Sequence, residues 1–91
     1  HVSRNVDQLF RLKGRNRIAM SSIKPSDDGK GYIVCLHNMS KQSAHSSFIW
    51  GSIKAREVSV CDYRQKSLKS FNDKDFWMKP YEYIILKVIT E

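Results

Sequence analysis

At 91 residues, 41% of them hydrophobic, the chain is long enough for one packed core and too apolar for wholesale disorder. Its formal charge of +7, from 16 Lys and Arg against 9 Asp and Glu, admits acidic or phosphate-bearing partners. No apolar run approaches the roughly 18 residues of a membrane span, and two cysteines with no CxxC pair do not repeat a zinc-finger spacing.

Residues 1–17 read as a lead-in. Val2, Val6, Leu9 and Phe10 can share a helical stripe, so a short helix and an irregular segment both fit, and Gly14 ends it. Residues 18–23 follow as a strand, and residues 24–31 hold the Pro, Asp and Gly that a chain reversal needs. The return strand, 32–38, is apolar enough on both faces to be central in a sheet. Residues 40–47 read as a polar loop. Phe48, Ile49, Trp50 and Ile53 mark a strand bent around Gly51, and residues 55–62 alternate as a half-exposed strand would. Residues 63–75 are mostly polar around Leu68 and Phe71, with a turn at 72–75.

Phe76-Trp77-Met78 and then 81–89 complete the set as a closing pair, with Pro80 between them. Ile84, Leu86 and Val88 fall on one face of the last strand; Tyr81, Tyr83, Ile85 and Ile89 fall on the other, which reads as a strand held between two layers. Short strands separated by turns predict an all-β fold, an antiparallel β-sandwich of about five to seven strands. The chain opens His1-Val-Ser-Arg with no initiator Met and no leader pattern, as a trimmed segment would.

The chemistry-bearing residues are sparse. His37 and His45 lie among many serines without a nucleophile-elbow sequence. Asp27-Asp28-Gly29 supplies two carboxylates where a calcium loop spreads several, so turn chemistry accounts for it. No metal site and no catalytic set is assigned. Cys35 and Cys61 read as two buried thiols, bridged only if their Cα atoms come within about 7 Å. Asn38-Met39-Ser40 fits the glycosylation sequon. Arg11, Lys13, Arg15 and Arg17 form the one dense basic cluster. The remaining cations are scattered as on a solvated sheet face, so nucleic acid is the disfavoured partner. Trp50, Tyr63 and Trp77 are the aromatic candidates, either for stacking on an oligosaccharide or for contact with a neighbouring domain.

The run from Ile18 through Ile23-Lys24, Asp27-Asp28-Gly29 and Asn38 resembles the C-terminal β-sandwich region of glycoside hydrolase family 38 α-mannosidases. Ala55, the strand from Val58 to Asp62, Lys79-Pro80-Tyr81-Glu82 and Leu86-Lys87 extend the likeness, which covers about three quarters of the chain. Family 13 amylase-like enzymes, with a Pro-Tyr-Glu-like closing strand and a Leu-His-Asn segment, are the competing parent. The family 38 resemblance implies that residues 1–91 are a single C-terminal accessory domain, non-catalytic, whose partner is the upstream catalytic domain of the same chain. It places the zinc ion and the catalytic Asp in that upstream region, so no metal or catalytic residue carries over. An independent carbohydrate-binding module is the third reading, and the compartment stays open.

Overall fold

A computed structural model describes residues 10–13 and 17–91, and every regular element within them is a β-strand. The expected stripe at residues 2–9 and the cation Arg15 lie outside the described residues. The strands are β1 (Phe10–Leu12), β2 (Ile18–Pro25), β3 (Gly31–Asn38), β4 (Ala44–Ser46), β5 (Phe48–Trp50), β6 (Ala55–Cys61), β7 (Ser67–Ser70), β8 (Phe76–Met78) and β9 (Tyr83–Thr90). Five form an antiparallel sheet in the order β2-β3-β9-β6-β7, while β1 pairs with β5 and β4 with β8. The architecture is the all-β, antiparallel, sandwich-like one that the sequence predicts. Four strands of three residues each add the two small pairs.

Residues directly opposite one another on neighbouring strands share a face. Val34 stands opposite Leu86, Leu36 opposite Ile84, Ile23 opposite Val34, and Val58 opposite Val88. This is the core face. Phe10 and Phe48 from one small pair, with Ala44, Phe76 and Met78 from the other, close over it as a single hydrophobic cluster. Phe48 lies 5.1 Å from the Phe10 ring and 5.9 Å from Phe76. Val34, Leu36, Met78, Leu86 and Val88 have no exposed surface, and each side chain buried in this way contributes roughly 1.5–3 kcal/mol. Phe10 belongs to the lead-in by sequence and to the core by packing.

The other face carries Ile33, Lys87 and Ser59 in one row. Ile33 and Ser59 are each only 4% exposed because two turns fold toward this face. Asp28 of the β2–β3 turn accepts from Lys87 Nζ at 2.6 Å, and the Asp27 N–H donates to Gln65 Oε1 of the β6–β7 turn at 2.8 Å. For this reason β6 is not half-exposed: Ser59 and Cys61 are buried alongside Val58. The turn can fold in only because Gly31 passes close to β9. A Cβ there would stand 1.8 Å from the Val88 carbonyl oxygen, closer than any side chain allows.

Other expectations are corrected by pairing. Residues 76–78 and the closing strand are not partners: β8 pairs with β4, and β9 lies between β3 and β6. The polar stretches at 40–47 and 63–75 contain β4 and the edge strand β7. The strand at Phe48 ends at Trp50 rather than bending through Gly51 to Ile53.

Candidate functional site

The three aromatic candidates are not brought together. Trp50 packs against Phe10 and Phe48, and its indole N–H donates to the Asp73 carboxylate at 2.8 Å, so its face and its donor are both used internally. Tyr63 stands 79% exposed in the β6–β7 turn with the Arg64 guanidinium 5.4 Å from its ring. Trp77 lies between buried Phe76 and Met78 and so points out of the small β4–β8 pair. Its ring is 4.9 Å from His45, which pairs with Asp75.

The residues of the hairpin and the closing segment do converge. Asn38, at the end of β3, is fully buried, and its amide nitrogen lies 2.8 Å from the Gln42 carbonyl, 3.2 Å from that of Met78 and 3.0 Å from that of Lys79. Its amide oxygen accepts from the Ser40 N–H. A side chain so engaged is closed to glycosylation in the fold, whatever the sequon suggests. At the opposite end of β3, Asp28 accepts from Ser26 Oγ, Lys30 N–H and Lys87 Nζ. The Lys87 ammonium, then the Ser26 hydroxyl and the Lys30 amide, hold its carboxyl well below the usual range.

A cap of exposed side chains surrounds the Asn38 end. Asn38 N–H donates to Glu82 O and Tyr81 N–H to Ser40 O, so residues 38–40 and 81–82 run side by side. Tyr83 stacks on His37 at 3.8 Å, with its ring 67% exposed; Met39 is 62% and Tyr81 59% exposed. The expectation that Tyr81 and Tyr83 lie under a second layer is therefore not met among the described residues, because the folded-in turns cover the middle of that face only. Residues 79–82 form a β-turn with Pro80 and Tyr81 at its centre, closed by Glu82 N–H to Lys79 O at 3.1 Å. Tyr81 takes φ 59°, at a position that favours glycine. A bulky residue in that region costs roughly 1–3 kcal/mol.

Among the described residues, no three His, Cys, Asp or Glu side chains come close enough to hold a metal ion. A depression of about 730 Å³ at the end of β9 is lined by Lys30, Arg56, Glu57, Thr90 and Glu91, a mixture of charges rather than a nucleophile with its base. Cys35 faces Ile85 across β3 and β9, and Cys61 lies on β6, so β9 runs between the strands that carry the two thiols. Two interstrand spacings put their Cα atoms about 9.5 Å apart, outside the range a disulfide spans. Both thiols are free, and burial raises that of Cys61 above its usual pKa. No helix among the described residues is long and apolar enough to cross a membrane.

No protein-family model, curated protein or solved structure matches the chain at a level that establishes a relationship.

Proposed function

We propose that the chain is a non-catalytic terminal β-domain of a carbohydrate hydrolase of the family 38 α-mannosidase kind, packing on and supporting an upstream catalytic region. One observation supports the reading. The separated segments that carry the resemblance are the segments that bond to one another. Asp28, from the acidic Gly turn, meets Lys87 of the Leu86-Lys87 pair, and Asn38 meets the carbonyls of Met78 and Lys79 that precede Pro80. Those contacts tie the hairpin and the closing segment into one unit across β3 and β9. In this reading the zinc ion and the catalytic Asp belong to other residues of the longer polypeptide, and these residues supply a rigid sheet and a surface to dock it.

The test is to express the product of the complete reading frame and assay it on an aryl α-mannoside and an aryl α-glucoside. Mannoside turnover by the long polypeptide, and none by residues 1–91 alone, is expected. Turnover of the glucoside only would move the domain to the family 13 parent, and a complete frame with no hydrolase region would end the proposal.

Oligosaccharide binding by the domain itself has one observation in its favour, the exposed Trp77 ring beside the His45–Asp75 pair. Titration calorimetry with mannose oligosaccharides checks it. Heat that vanishes in Trp77→Ala supports a sugar site, and no heat with the native chain disposes of it.

A further inference from the structure

We infer that this chain forms a strand-exchanged dimer, in which each copy inserts β9 between β3 and β6 of the other. The inference adds an assembly state to the reading above and does not rest on it.

The hinge supplies the drive. Among the described residues β9 joins the rest of the fold through residues 79–82, where Tyr81 holds φ 59°. Local preference runs the other way: the residue before a proline is pushed towards extended backbone, Pro80 itself fits one, and tyrosine is a strand former. Lys79-Pro80-Tyr81 therefore favours a straight path from β8 into β9, and the closed turn opposes it. That turn is held by Glu82 N–H to Lys79 O at 3.1 Å and by Lys79 N–H to Glu82 Oε1 at 2.8 Å, surface bonds that water replaces on opening. A short hinge under strain is the feature that invites exchange. Gln65, the other non-glycine residue at positive φ among the described residues, has no such consequence. Its side chain accepts from Asp27 N–H, and β7 beyond it is exposed throughout, so exchanging that strand would bury little.

The groove decides the occupant. β9 is the central strand of five, paired with β3 on one side and β6 on the other. Leu86 and Val88 have no exposed surface and stand opposite Val34 and Val58, so the core is incomplete until this strand is in place. The groove is shaped for this sequence: Gly31 leaves room for the Val88 carbonyl, Asp28 meets Lys87, and Leu36 stands opposite Ile84. A second copy supplies the same strand in the same register, so every contact of β9 with β3 and β6 is kept in the dimer and only the hinge changes. Exchange takes place as the core forms, because β9 cannot leave a folded sheet without breaking both ladders.

Cys35 stands opposite Ile85 across β3 and β9, which gives the test. Directly opposed Cα atoms lie about 4.5–5.5 Å apart, within the range a disulfide spans. Ile85→Cys, in a Cys61→Ala background, therefore bridges to Cys35 inside one copy or between two, according to whose β9 fills the groove. The 91-residue chain is refolded from denaturant at rising concentration. Monomer and dimer are then separated by gel filtration, diluted, oxidised and run on a denaturing, non-reducing gel. The dimer fraction should rise with concentration, and the dimer should run as a covalent pair while the monomer runs as a single chain. No dimer at any concentration, or a dimer that runs as single chains with its thiols consumed, would overturn the inference. The hinge is read independently in the native sequence. Tyr81→Gly relieves the closed turn and should cut the dimer fraction at least roughly tenfold at equal concentration, since strain is relieved at two hinges. Tyr81→Pro, whose ring excludes positive φ, should raise the fraction instead. A dimer fraction unchanged by Tyr81→Gly would overturn the hinge as the cause.

Discussion

Asn38 concentrates more of the fold in one side chain than any composition statistic conveys. It is uncharged, fully buried and bonded to four backbone groups drawn from the 38–42 segment and from the end of β8. Asn38→Ala would leave those groups unpaired, at about 1–3 kcal/mol for each that water cannot reach. At several degrees of melting temperature per kcal/mol in a domain of this size, thermal denaturation should show a loss of at least roughly 10 °C, or no folded protein. A change within 2 or 3 °C would mean that the hub is dispensable. The thiols give a second expectation at this scale. Cys61 is buried and its thiolate disfavoured, whereas Cys35 is half-buried. Ellman's reagent should leave Cys61 unreacted until denaturant is added, and oxidants should produce no bridge between the two, because β9 separates them. Fast reaction of both thiols in the native protein would contradict the burial described.

Among the elements, β2, β3 and β9 were legible because their patterns are strong and their punctuation is chemical. Pro25, Asp27, Asp28 and Gly29 mark the turn, and the apolar return strand marks a central position, which β3 occupies. β4 and β7 were not legible. Ala44-His45-Ser46 has no strand composition and becomes a strand by pairing with β8, and Ser67–Ser70 is an exposed edge with a polar sequence. Both depend on tertiary partners that local propensity does not see. The exposed cap was misread for a related reason. A strand with apolar groups on both faces implies two covering layers, but here one cover is a pair of turns that stops short of Tyr83.

The ion pair between the β2–β3 turn and β9 makes a pH prediction. The Asp28 carboxyl is held below its ordinary value of 3.8, chiefly by Lys87, so the folded state favours the ionised form. Its stabilisation is fully present above that ordinary value and is lost as the pH falls below it. Asp28→Asn should therefore destabilise the domain at pH 7 and flatten its acid-unfolding curve below about pH 4. Because the carboxylate is partly exposed, 0.5 M salt should narrow the gap between the two proteins. Parallel acid curves for the two would show that the ion pair contributes nothing.

At the scale of the whole molecule, the fold separates labour between its ends. The Asp28 end of the sheet is sealed by turns, while the Asn38 end presents rigid backbone beneath exposed Met39, Tyr81 and Tyr83. Whatever binds only the folded form of a domain raises its melting temperature. Calorimetry of the 91-residue chain beside the product of the complete reading frame reads such a coupling directly. The proposed function predicts that the β-domain melts at a higher temperature within a longer polypeptide that carries a hydrolase region than when alone; the same melting temperature in both would contradict it.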